Sequence, residues 1–361
     1  MDIIIHIGTA KTGSTAIQHF FSGNRTALRD YGILYPETLG AVNHVTTPVY
    51  AGAPAAFAER HFPELRGAPD HEGFRRRAET ALAAEIAAAR PRRVVVSNEH
   101  LSEHVRDAEA ARRIARLFGG GAARLRVVLY LRRQDRLAVS LYAETIRMGS
   151  CVHFKDFLQL ARTRRILDFL GAVGPWLDAF GPDVVAARVF EADRLPEGGV
   201  VPDFLDLVAP EAAPEILTRL PAAGRRVRRA LDREALALLL RLNTVCRDLA
   251  AAETEGWPPP PRYLDPALRK PLWDALEGPR HSDAGPLECG RREAKRILRA
   301  YAADNAALFA RLGVASFDDR FSRRRAPVDA QMAALARDSD RLLRRALPLM
   351  PAFDVSARPD G

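Results

Sequence analysis

Residues 8 to 15 read GTAKTGST, and these residue types at this spacing could cradle an anion. Gly8 and Gly13 bracket a turn, Lys11 stands inside it, and Ser14 and Thr15 open the amphipathic segment that follows. Backbone N–H groups freed by such a turn converge with the positive end of a helix, which suits a phosphate or a sulfate. An ordinary strand-turn-helix connection would use the same glycines for turn geometry and Ser14 as a cap. Lys11 argues for more, because it is one of four lysines, with Lys155, Lys270 and Lys295, in a chain whose other cations are arginines. A flexible point charge between two glycines implies a specific task. Two further clusters carry chemistry. Asn98-Glu99-His100 holds two proton acceptors, and Arg132-Arg133 pairs guanidinium groups suited to a phosphate. His6, on the approach to the loop, could touch the anion, although a satisfied core histidine is the commoner arrangement.

Each cluster follows a segment with the composition of a buried strand. Ile3, Ile4, Ile5 and Ile7 precede the loop, Val94 to Ser97 precede Glu99, and Leu125 to Leu131 precede Arg132, with Val184 to Phe190 as a fourth strand. Gly32 to Pro36 is a short extended piece. Helical patterns separate these strands, notably residues 74–90, which end at Pro91, and 108–118, which end at a glycine triplet. Strands alternating with helices predict an α/β fold: a central parallel sheet with a P-loop-like nucleotide-binding core, flanked by helices. Beyond residue 210 the chain is mainly helical, interrupted by WPPPPRY at residues 257–263. The expected organisation is a single domain over residues 1–361, with a core at 1–210 and a helical extension at 211–361. Ligands of such sheets bind outside the carboxyl ends of the strands, so the three clusters should converge. Residues 37–70 read as a surface excursion near the site, with His44 and His61 lacking partners at any recognisable spacing.

Composition narrows the classes. Apolar content of 47% and charged content of 27% are those of an ordinary globular protein. No apolar run has the length of a membrane span and no signal peptide fits, so a cytoplasmic location is expected. Cys151, Cys246 and Cys289 lack the spacing of a disulfide framework or a zinc site. A net charge of +9 favours anionic ligands. The arginines are nevertheless spread over most helices without interleaved aromatics, and no nucleic-acid partner is expected.

A kinase or other NTPase of the P-loop class needs Lys directly after the second glycine, but Gly13 is followed by Ser14 and the lysine stands at position 11. Such enzymes also need an acid at a strand end to help hold Mg²⁺, where this chain offers Arg132. KTGST at Lys11 to Thr15, after an N-terminal buried strand, resembles the 5′-phosphosulfate loop of sulfotransferases that use 3′-phosphoadenosine 5′-phosphosulfate (PAPS). LRRQDRLAVSLY resembles the 3′-phosphate segment of that family, with Arg132 at a strand end and Ser140 eight residues later. The two motifs lie about 120 residues apart, in the family's order, and the overall likeness is to its bacterial members. It covers the first 150 residues and becomes a general helical similarity beyond Phe190.

The resemblance implies roles for these positions. N–H groups of Thr12, Gly13, Ser14 and Thr15, with the Ser14 and Thr15 hydroxyls, hold the 5′-phosphosulfate. Lys11 neutralises charge on the bridging oxygen, and Arg132 with Ser140 binds the 3′-phosphate. PAPS is the co-substrate and no metal is required. The base is Glu99 or His100: one branch of the family uses a His after this strand and carbohydrate-acting branches a Glu, and Ser97-Asn98-Glu99 favours Glu99. On an extended segment the two neighbours would point to opposite sides. The run Arg323 to Arg325 lacks the Lys-Gly pattern that accompanies the family's late basic segment. A small-molecule, glycan or lipid-linked acceptor fits equally well, and neither the acceptor nor the oligomeric state can be read from the sequence. A nucleotide kinase and a non-catalytic nucleotide-binding protein are the alternative functions.

Overall fold

The computed structural model describes residues 1–67, 70–119, 124–221, 231–253, 285–321 and 325–336. Five strands form one sheet: β1 (Asp2–His6), β2 (Ile33–Leu34), β3 (Arg93–Ser97), β4 (Arg124–Leu131) and β5 (Val185–Val189). They lie in the order β2-β3-β1-β4-β5, and every neighbouring pair is parallel. The α/β parallel architecture expected from the alternation of strands and helices is therefore present.

Both faces of the sheet are covered. Ile4, Val95, Val128 and Tyr130 point into a cluster built with Ile17, Phe20 and Phe21 of the Ser14–Gly23 helix and Phe204 and Leu205 of the Val200–Val208 helix. The alternating set on the other face, Ile3, Ile5, Val94, Val96, Val127 and Leu129, is at most 1% exposed. Burial on both faces explains why these strands are nearly continuous β-branched runs and do not alternate with polar residues. Complete burial of each Val or Ile contributes about 1.5–3 kcal/mol, so the sheet centre is the firmest part of the scaffold.

Strand length controls what stands at the mouth of the site. β1 is in register with β4 from Asp2↔Arg124 to His6↔Val128, and β4 then runs three residues further. That overhang grips the chain leaving β1: Ile7 N–H donates to Val128 O, Tyr130 N–H to Gly8 O, and Thr9 N–H to Tyr130 O. The first half of the loop is thus an extension of the sheet. Chain order also reverses across β1, since the chain goes from β1 outward to β2 on one side and from β4 to β5 on the other. A crevice is expected at such a reversal, outside the carboxyl ends of β1 and β4.

By contacts within the chain, the molecule falls into two compact units. The first comprises Met1–Arg133, Arg165–Arg226 and Tyr301–Asp318 and contains the whole sheet. The second comprises Gln134–Arg164, Val227–Ala300 and Asp319–Gly361 and is helical where described, with helices at Gln134–Arg147, Phe154–Thr163, Arg233–Glu253, Arg291–Arg299 and Val328–Ala336. Within it Asn243 Nδ2 donates to the carbonyls of Ile146 and Ser150, and Asp329 accepts from the N–H groups of Phe154 and Lys155. WPPPPRY and the residues Arg323 and Arg324 lie outside the described residues, and Arg325 pairs with Glu288 at 3.0 Å. Among the described residues no helix is long and apolar enough to cross a membrane.

The excursion at 37–70 is a surface segment only in part: residues 44–53 are largely buried, while most of its other described residues are exposed or half-buried. His44 is fully buried: its Nε2 donates to Pro36 O at 2.8 Å, its Nδ1 accepts from Ser97 N–H at 2.9 Å, and its own N–H donates to Ser97 O. Every residue of the Thr46–Ala51 helix is buried too. The segment is pinned to the end of β3 by hydrogen bonds that leave no periodic trace in the sequence.

Candidate functional site

The loop between β1 and the Ser14–Gly23 helix has the backbone geometry of an anion nest. Gly8, Lys11 and Gly13 take left-handed backbone conformations, with φ of 96°, 61° and 87°. Gly13 is the N-cap of the helix and caps it without a side chain, while its carbonyl starts the helix by accepting from Ala16 and Ile17. Among the described residues, the N–H groups of Thr12, Gly13, Ser14 and Thr15 find no hydrogen-bond acceptor. Four such donors at the positive end of a ten-residue helix make a strong site for a phosphate or sulfate.

Side chains of the loop hold its shape. Thr9 Oγ1 donates to Tyr130 O, and Thr12 Oγ1 donates to Thr9 O at 2.5 Å, which leaves Thr12 fully buried. Ser14 Oγ makes only a weak 3.5 Å contact to Thr9 O, and Thr15 is exposed. Two glycines are required for reasons of space as well as backbone. A Cβ at Gly13 would lie 2.6 Å from Val200 Cγ1, and one at Gly8 would lie 3.0 Å from Glu99 Cα.

That second contact places Glu99 at the loop. Asn98 N–H donates to His6 O, so the chain leaving β3 crosses directly beside Gly8. Gln18, on the buried face of the Ser14–Gly23 helix, donates from Nε2 to Glu99 Oε2 at 2.7 Å. One carboxylate oxygen is thereby fixed, and the other accepts no hydrogen bond among the described residues. His100 goes elsewhere. The chain after Asn98 turns into a helical conformation, His100 having φ −72° and ψ −10°, and Asn98 Oδ1 accepts from His100 N–H. The two neighbours diverge through this turn and not, as expected, through the alternation of an extended strand.

The imidazole of His100 packs edge-on against Phe57 and near His104, with its Nδ1 3.6 Å from Glu103 Oε2. Burial alone would lower its pKa, but the neighbouring carboxylates of Glu103 and Glu99 together outweigh burial and hold it above the ordinary histidine value. Glu103 is held below the usual carboxylate range in return, against the opposing effect of burial.

Arg132 arrives where the overhang of β4 ends. Its Nη1 donates to Lys11 O at 3.1 Å, and the guanidinium carbon lies 5.9 Å from the ring centroid of Phe190. This joins the arginine cluster to the anion loop, and Phe190 also lines the wall beside Gly13. Arg133 faces inward, 2% exposed, and its Nη1 is 2.6 Å from Asp318 Oδ1, so it serves as a buried structural ion pair. Ser140 lies half-buried on the Gln134–Arg147 helix of the second unit.

His6 is a core residue. It is fully buried, with Nδ1 2.8 Å from Ser97 Oγ and its ring against Tyr130 and Phe204, and burial depresses its pKa to about 3. Gln18, Phe190 and Val200 are site residues that motif reading missed. Only Gln18 left a trace, as a polar side chain one turn beyond Ser14 on the apolar face of an amphipathic helix. A cavity of about 430 Å³ lined by Asp2, Arg93, Arg124 and Asp183 lies at the amino ends of the strands, the wrong end for a ligand of this architecture.

No family model matches this chain, and no curated protein matches it. Among solved structures it is similar to a sulfotransferase from Alicyclobacillus acidocaldarius, at 14% identity and a TM-score of 0.40, over 88% of this chain and 97% of that one. A superposition this loose decides neither substrate nor site.

Proposed function

We propose that this protein is a PAPS-dependent sulfotransferase that transfers a sulfuryl group in line to a hydroxyl or amine acceptor. The observation that carries the reading is the meeting, at the carboxyl ends of β1 and β4, of four unpaired loop N–H groups and the Arg132 guanidinium, with Glu99 beside Gly8. The loop and helix N-terminus accept the 5′-phosphosulfate, and Arg132 contacts a phosphate of the same nucleotide. The family motif that Ser140 resembles assigns this residue to the 3′-phosphate.

The chemistry follows from charge placement. The acceptor oxygen attacks sulfur while the bond from sulfur to the bridging oxygen of the 5′-phosphate breaks, leaving adenosine 3′,5′-bisphosphate. Glu99 takes the acceptor proton on the carboxylate oxygen that Gln18 does not hold. Lys11 and the loop N–H groups stabilise the negative charge that develops on the bridging oxygen. Sulfuryl carries less charge than phosphoryl, so these groups suffice without Mg²⁺.

Calorimetric titration with adenosine 3′,5′-bisphosphate tests the assignment. Micromolar binding that survives chelator and weakens at least tenfold in Arg132→Ala supports it. Absence of binding, or binding undiminished in that variant, overturns it. A nucleotide kinase, in contrast, would lose activity in chelator.

A further inference from the structure

The turn that carries His100 away from the anion loop assembles a second cluster. His100 is the helical N-cap of the Leu101–His104 turn, so His100, Glu103 and His104 stand at positions i, i+3 and i+4 on one face. One ligand-capable atom from each lies within 4.8 Å of the other two. His100 Nδ1 is buried and has no hydrogen-bond partner, because Glu103 Oε2 at 3.6 Å is beyond hydrogen-bond reach. Two ligands bound to one tetrahedral ion at about 2.0–2.2 Å stand about 3.3 Å apart, so that contact has nearly the length of a metal-site edge. The ring of Phe57 packs against both imidazoles, at 5.0 Å from His100 and 4.5 Å from His104, and shields one side of the cluster.

We infer that His100, Glu103 and His104 form a binding site for a zinc-class divalent cation, separate from the anion loop. Two imidazoles and a single carboxylate suit a cation of borderline softness and not Mg²⁺ or Ca²⁺, which require more oxygen ligands. Three protein ligands leave a fourth position for water or a substrate atom. A metal on His100 Nδ1 also removes that nitrogen from proton transfer. The site is independent of the sulfotransferase reading and stands or falls by its own test.

The test is a titration of the full-length protein with Zn²⁺ against a competing chelator, together with the visible spectrum of the Co²⁺-loaded protein. Expected are one equivalent bound and affinity at least tenfold weaker in both Glu103→Gln and His104→Ala. Affinity should be unchanged in Arg132→Ala, and the Co²⁺ spectrum should be four-coordinate without a thiolate band. Glu103→Gln keeps the side-chain volume, and a thermal melt close to that of the parent establishes that any loss is of ligation and not of fold. Failure to bind, affinity equal to the parent's in both cluster variants, or a thiolate band that moves the ion to a cysteine each overturns the inference.

Discussion

Lys11 and Glu99 divide the chemistry of the proposed transfer, and their substitutions should separate. Lys11→Ala removes the cation that stabilises the leaving oxygen, and turnover should fall about a hundredfold or more while the backbone cradle still binds the bisphosphate. Single-turnover kinetics with PAPS read this directly, and a near-normal rate removes Lys11 from the chemistry. Glu99→Gln should lower turnover by about a hundredfold or more with bisphosphate affinity unchanged, whereas His100→Asn should retain most activity, since its ring faces Phe57 and Glu103. The reverse ranking would make His100 the base. At this scale the positions of the loop, Arg132 and Glu99 beside one another were legible, because each is a chemical group at the end of a strand. The sequence singled out Arg132 by the spacing to Ser140, but it could not name the partner of Arg133. The inward turn of Arg133 depends on Asp318, 185 residues away, and no local pattern announces such a partner.

The loop works as an element because β4 outruns β1 and because two glycines accept left-handed backbone where neighbours leave no room. Gly13→Ala should be costly on both counts. A left-handed non-glycine residue costs about 1–2 kcal/mol, and overpacking against Val200 adds about 1–3 kcal/mol. Urea unfolding should show a loss of about 2–5 kcal/mol together with weakened bisphosphate binding. A loss below about 1 kcal/mol would mean that the loop relaxes freely and does not present a fixed cradle. The strands themselves were readable to within a residue or two, since burial on both faces writes continuous apolar runs into β1, β3 and β4. Residues 37–70 were not. The buried part, around Thr46–Ala51, is anchored by His44 bridging Pro36 and Ser97, a pattern of single hydrogen bonds with no period to detect.

The molecule as a whole responds to acid most strongly through two buried histidines: His6, for which a core position was the commoner expectation, and His44, read as part of a surface excursion. His6 and His44 are both fully buried, and burial lowers each from 6.5 to about 3, with the Arg25 charge adding to the effect at His44 against the opposing bond to Pro36. Between about pH 6.5 and pH 3 the unfolded chain therefore holds a proton at each of these two positions that the folded chain refuses, the lesser lowering of His61 and His104 by burial acts with the same sign, and stability falls as pH falls. His6 and His44 each contribute a slope of about 1.4 kcal/mol per pH unit, fully lost only below about pH 3. His100, shifted upward, acts above pH 6.5 with the opposite sign and adds no slope in this window. Urea unfolding from pH 6 to pH 5, above the range where carboxylates of lowered pKa begin to protonate, should show this dependence. His6→Gln should reduce the slope by about one proton, whatever it does to stability at pH 7. An unchanged slope would mean that His6 protonates in the folded protein and that the β1–β3 seam, where its Nδ1 meets Ser97, admits a charge the sheet interior should exclude.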